Sequence, residues 1–184
     1  MQDFAAVGMV EFTSIAMGMD AADTMVKAAD IAPVFFKTIC PGKYIAAVSG
    51  DVAAVNASTR AGLDAGGSSV VDWFVIPNIH GDVIAALSGC QPVRGKGALG
   101  VIETFSVPSA ITAADAAVKA ADVAVMDVRT ALGLGGKGYV LVMGDVAAVQ
   151  AAVAAGADEA GKTGLFVAST VIPRPAETFF THVL

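Results

Sequence analysis

Gly50-Asp51-Val52-Ala53-Ala54-Val55 returns later in the chain as Gly144-Asp145-Val146-Ala147-Ala148-Val149. An aspartate after a glycine, followed by small apolar residues, reads as a capped helix start, because the carboxylate accepts an N–H that the first turn leaves unpaired. Working outward, the flanks repeat as well. Val7-Gly8-Met9-Val10-Glu11 matches Leu99-Gly100-Val101-Ile102-Glu103, and Asp20-Ala21-Ala22-Asp23 matches Thr112-Ala113-Ala114-Asp115. Lys27-Ala28-Ala29-Asp30 matches Lys119-Ala120-Ala121-Asp122, and Val75-Ile76-Pro77 matches Val171-Ile172-Pro173. Low complexity would not preserve this order, so the chain is two repeats of one domain. The expected domains are 1–90 and 97–184, joined by the glycine-rich, polar stretch from Ser88 to Gly97.

Each repeat reads β-α-β-β-α-β-α. Val7 to Thr13 is a strand, and Met17 to Asp30 is a helix with Met17, Ala21, Met25 and Ala28 on one face. Asp23 and Lys27, like Asp115 and Lys119, stand four apart in the favourable order for a helix ion pair. Strands Pro33–Ile39 and Tyr44–Ser49 follow, then a helix capped by Asp51 (Asp145 in the second repeat) and ending near Gly66-Gly67 (near Gly161). A last strand runs from Val70 to Ile76, or from Leu165 to Ile172, and stops at a proline. Short helices at His80–Leu87 and Ala176–Val183 close the repeats. The fold class is α+β: two tandem βαββαβ(α) domains, each a mostly antiparallel sheet with helices packed on it.

Composition excludes several functions. Of 184 residues 55% are hydrophobic and the net charge is −6, so neither nucleic acid nor an anionic membrane surface is an expected partner. A sparsely charged chain of this kind hides surface in an oligomer. No apolar run reaches the length of a membrane span, and Met1-Gln2-Asp3 lacks the basic start of a signal peptide. Two cysteines, Cys40 and Cys90, fit a reducing compartment better than a disulfide framework.

Catalytic constellations are sparse, and no enzyme activity is expected. His80 and His182 lie in the closing helices, and Ser14, Ser49 and Ser106 sit in no nucleophile elbow. Glu11 and Glu103 end strands and are expected to make structural hydrogen bonds. Gly133 to Gly138 has neither the spacing nor the hydroxyl of a phosphate loop; it reads as the second repeat's version of the turn at Cys40, one or two residues longer. That turn, Thr38-Ile39-Cys40-Pro41-Gly42-Lys43, carries the one chemical signal. Proline fixes the backbone beside Cys40, Gly42 permits a tight turn with free N–H groups, and Lys43 is expected near the sulfur, where it would favour thiolate. Alone, the turn fits a buried cysteine as well as a metal or redox ligand.

These residues together resemble the tandem-domain shell proteins of bacterial microcompartments. The resemblance rests on Gly8-Met9-Val10-Glu11, on the helix Asp20-Ala21-Ala22-Asp23-Thr24-Met25-Val26-Lys27-Ala28-Ala29, and on Val171-Ile172-Pro173-Arg174-Pro175, in unpermuted order across nearly the whole chain. Lys37 to Lys43 is most similar to the iron–sulfur shell protein of propanediol-utilising compartments. The resemblance implies a structural protein of the compartment shell, a homotrimer of two-domain chains that tiles edge to edge with other shell proteins. It implies a central pore loop formed by Thr38, Ile39, Cys40, Pro41 and Gly42 with Leu134, Gly135 and Gly136. It also implies metal ligation by Cys40 and edge contacts through Lys27, Lys119 and Arg174. Three Cys40 thiolates meeting on a threefold axis would hold one [4Fe–4S] cluster, with one iron left for another ligand, zinc being the competing metal. Electrons would then pass across the shell to encapsulated or cytosolic redox enzymes. Other readings are a passive tile that conducts metabolites and a soluble redox or small-molecule-binding trimer. The sequence departs from the family at Asn78, where an edge arginine is expected, at Asp30 and Asp122, where asparagine is common, and in the second repeat's turn, which has no cysteine.

Overall fold

The computed structural model describes residues 6–87, 89, 97–131 and 133–179. The chain divides into two compact units. One takes in the residues up to Ile79 together with Ser106–Pro108 and Ala131–Gly136; the other takes in His80–Phe105, Ser109–Thr130 and the residues from Lys137 onward.

The first unit contains β1 (Ala6–Phe12), α1 (Ile15–Ala28), β2 (Ala32–Ile39), β3 (Lys43–Gly50), α2 (Val52–Gly66) and β4 (Val70–Pro77). Its four strands are antiparallel in the order β2-β3-β1-β4. Central β1 is buried at every position, and α1 and α2 pack on the sheet around Val10, Phe12, Met25 and Val48. Gly8 is where α2 comes closest: a Cβ there would lie 2.3 Å from Thr59 Oγ1 and 2.8 Å from Val55. Among the described residues the buried Thr59 hydroxyl has no hydrogen-bond partner.

The second unit contains α3 (Gly81–Leu87), β5 (Ala98–Thr104), most of α4 (Val107–Ala120), β6 (Ala124–Thr130), β7 (Gly138–Gly144), α5 (Val146–Gly161) and β8 (Phe166–Ile172). The sheet order is β6-β7-β5-β8, again antiparallel. The two sheets share even their irregularities. Register shifts fall between Glu11 and Phe12 and between Glu103 and Thr104, and again within β2 and β6. Gly100 stands where Gly8 does, with Val153 and Val149 of α5 filling the space a Cβ would take. Bulges and glycines that keep their place in both repeats are local devices of one domain fold.

Four expectations need correction. Helix α1 starts at Ile15, because Ser14 caps it by accepting the Met17 N–H. Its buried face is therefore Gly18, Ala21, Ala22 and Met25, with Met17 and Ala28 exposed. Asp51 caps α2 through the Ala54 N–H at 2.9 Å, whereas Asp145 holds the N-cap position of α5 without a side-chain cap bond. The loop from Ala131 to Lys137 is seven residues long against three at Cys40–Gly42, a larger insertion than one or two. The helix closing the first repeat forms, as α3, but it packs on β6 in the second unit. The second closing helix shows only residues 177–179; the rest, with His182, lies outside the described residues. Among the described residues no helix is long and apolar enough to cross a membrane.

Candidate functional site

The turn at Cys40 is short because β2 and β3 pair up to Ile39 opposite Lys43. The Gly42 N–H donates to the Ile39 carbonyl at 3.1 Å, the Cys40–Pro41 peptide is cis, and Gly42 has φ +81°. This is a four-residue turn with a cis proline in its third position. Ile39 is buried and anchors the turn, Cys40 is half-buried, and Thr38, Pro41 and Gly42 are exposed. The Gly42 N–H is thus not free, contrary to the sequence expectation, because the turn itself uses it.

Lys43 has a partner that its local sequence does not announce. Its ammonium donates to Glu11 Oε1 at 2.8 Å, and the Val107 N–H donates to Glu11 Oε2 at 2.7 Å. Both oxygens of a fully buried carboxylate are therefore satisfied. Burial pushes the Glu11 carboxyl above its ordinary value, while the bonds from Lys43 and Val107 pull it back in part. Beside it, Asp72 accepts the Ser106 hydroxyl at one oxygen and the Trp73 N–H, at 2.8 Å, at the other. Gly136 closes against the cysteine turn: a Cβ there would lie 3.0 Å from Pro41 Cδ, 3.4 Å from Lys43 Nζ and 3.5 Å from the Cys40 carbonyl oxygen. Gly136 of the expected pore loop therefore lies directly beside the Cys40 turn, while Leu134 is half-buried and Gly135 exposed with φ +62°; Leu132 lies outside the described residues. The buried Glu11–Lys43 pair is the feature that reading by sequence missed. Its signal was present, since Glu103 and Lys137 repeat it and join at 2.9 Å.

The other named residues lie apart from this centre. Lys27 pairs with Asp23 on the exposed side of α1, and Lys119 reaches Asp115 at 2.6 Å. Arg174, Asp30, Asp122 and Asn78 are exposed, Asn78 with φ +52°. His80 is half-buried and structural: its N–H donates to Asp115 and its ring nitrogen accepts the Asp82 N–H. Ser49 donates to the Ala32 carbonyl, Ser14 caps α1, and Cys90 lies outside the described residues. Among the described residues no three of His, Cys, Asp or Glu gather into a group that could hold a metal ion.

The BMC-domain family model matches residues 6–79 and 98–175. The chain is 45% identical over 179 residues to the bacterial microcompartment shell protein PduT of Citrobacter freundii, covering 97% of each chain. It is 49% identical over 94 residues to the shell protein EutM of Salmonella typhimurium, which spans 50% of this chain and 94% of the relative, one repeat's worth. Among solved structures, a microcompartment protein of Desulfitobacterium hafniense superposes with a TM-score of 0.84 at 45% identity, over 96% of this chain and 98% of that one.

Proposed function

The chain belongs to the BMC-domain family and is a structural protein of a bacterial microcompartment shell; from that premise we propose that it forms a three-chain tile in which Cys40 of each chain holds one shared [4Fe–4S] cluster. The observation that carries the reading is Cys40 itself, a half-buried thiol in the three-residue connection between β2 and β3, whose other two residues face solvent. One chain offers one thiolate there, and a four-iron cluster normally takes four. Three chains around an axis supply three, and thiolate is the ligand type that suits iron–sulfur chemistry. When bound, such a cluster supplies one-electron transfer across the shell, to and from redox enzymes on its two sides.

The chain's own residues hold the thiol in position. Buried Ile39 fixes one end of the turn and the Lys43–Glu11 pair fixes the other. Gly136, lacking a side chain, leaves the second repeat's loop against the turn without crowding it. Lys27, Lys119 and Arg174, all exposed, serve the tile edges against other shell proteins. The test is anaerobic reconstitution with iron and sulfide, comparing wild type with Cys40→Ser by visible absorbance and by electron spin resonance after reduction. A brown wild type and a colourless variant are expected. Equal iron and equal spectra in the two would refute the ligand assignment, and a colourless wild type holding zinc would favour a structural metal.

A further inference from the structure

Between α2 and β4 the first unit has a cavity of about 270 Å³. Leu63 and Val75 give it an apolar wall, Thr59, Arg60 and Asp64 line it from the helix, and Trp73 lines it from the strand. Trp73 is the chain's one tryptophan, and half of its surface is exposed while the neighbouring Phe74 is buried. No described cation stacks on its ring. Arg60 is exposed and pairs with no described carboxylate, although Asp64 stands four residues on. Arginine before aspartate is the less favourable order for a helix pair. The buried Thr59 hydroxyl, which has no partner among the described residues, borders the same space.

The second repeat is an internal control. It builds the same sheet and the same helix, yet Val153, Ala154 and Ser169 stand where Thr59, Arg60 and Trp73 do. Asp158 and Val171 keep the places of Asp64 and Val75. The fold therefore does not require the hydroxyl, the guanidinium or the indole. An exposed tryptophan and an unpaired arginine beside one small cavity are the residue types that carry binding energy where a partner is held.

We infer that this cavity binds a small aromatic acid: its ring lies on the indole of Trp73, its carboxylate takes the Arg60 guanidinium, and a hydroxyl at the far end of the ring donates to Asp64. Each part of the ligand follows from the site. The volume sits at the small end of the range for ligand pockets and takes one ring with its substituents. A free indole face favours a flat ring, and a guanidinium binds a carboxylate through two parallel N–H bonds. Asp64 repels a second negative charge, so the ligand carries one, with a donor facing the aspartate. Arg60 and Asp64 are four residues apart, about 6 Å along the helix, and a ring with polar groups at opposite ends spans that distance. The site lies within one repeat and is independent of the cluster at Cys40.

The test titrates 4-hydroxybenzoate into the full chain. Two controls accompany it: 4-hydroxybenzamide, which lacks the charge, and cyclohexanecarboxylate, which lacks the flat ring. With a single tryptophan in the chain, its fluorescence reports on this site alone, and saturation-transfer NMR of the probe gives a second readout. A saturable change at about millimolar probe is expected, with both controls at least about tenfold weaker. Arg60→Ala and Trp73→Ser write the second repeat's residues into the first, and circular dichroism checks that both are folded. Arg60→Ala should weaken binding about tenfold, and Trp73→Ser should abolish the NMR signal. No saturation in wild type, equal binding of the neutral amide, or unchanged binding by folded Arg60→Ala overturns the inference. Acrylamide should quench Trp73 in wild type; an indole shielded from it would be covered by another chain, which overturns a small-molecule site.

Discussion

Glu11 connects the strand that organises the first sheet to the turn that carries the cysteine. Replacing it by alanine leaves the Lys43 ammonium and the Val107 N–H without their acceptor, at a cost of about 2–4 kcal/mol, measurable by chemical denaturation. The pH dependence has a definite sign. Because burial raises the Glu11 pKa above 4.5 in the folded chain, folding takes up a proton between 4.5 and the raised value. That contribution to stability is present in full below 4.5 and is lost as pH rises through the folded value. The stability of wild type minus that of Glu11→Gln should therefore increase as pH falls through this window; a flat or opposite trend would show that Glu11 is not desolvated. At this scale the sequence was only half legible. The turn and its cysteine could be picked out by residue type, but local spacing suggested Lys43 as the thiol's neighbour. The carboxylate that Lys43 binds lies on the neighbouring strand β1, 32 residues earlier in the chain, and a long-range ion pair leaves no local pattern. The recurrence of both glutamate and lysine in the second repeat was the available clue.

At the scale of elements, packing distances separate glycines that matter from those that do not. A Cβ on Gly18 would lie 2.6 Å from Tyr44 Cβ, with the rigid ring just beyond. Gly18→Ala should destabilise by about 1–3 kcal/mol from overpacking, outweighing the roughly 1 kcal/mol that alanine gains in a helix. On α2, a Cβ on Gly62 would press on the flexible side chain of Met25, at 2.6 Å, with Val10 Cγ2 at an ordinary 3.7 Å. Gly62→Ala should stay within about 1 kcal/mol of wild type. Thermal melts of the two variants compare them directly, and equal losses would contradict the packing described here. Strand and helix order was legible from periodicity in both repeats. The buried face of α1 was not, because it depends on where Ser14 starts the helix and on Tyr44, which approaches from β3. The packing of α3 on β6 was likewise hidden, since a short amphipathic helix does not encode which sheet it covers.

At the scale of the whole molecule, duplication was the most legible property, and it extends to bulges and glycines that a single repeat would not have called attention to. The edges follow from the same reading. Replacing Lys27 and Lys119 together by alanine should leave the proposed trimer intact while suppressing extended layers in electron micrographs. The pair of Lys27 with Asp23 is exposed and adds little to folding, and Asp115 keeps the His80 N–H when Lys119 is removed, so lost layers from a folded double variant would point to the edge; persistent layers would remove these lysines from it. The central claim is that one cluster is shared by three chains through Cys40. Native mass spectrometry of anaerobically prepared protein tests it most directly, because one spectrum gives both chain number and bound mass. Wild type should appear as a trimer carrying the mass of one four-iron, four-sulfide cluster, and Cys40→Ser as a trimer without it. A cluster on single chains, or one retained by Cys40→Ser, would contradict the claim.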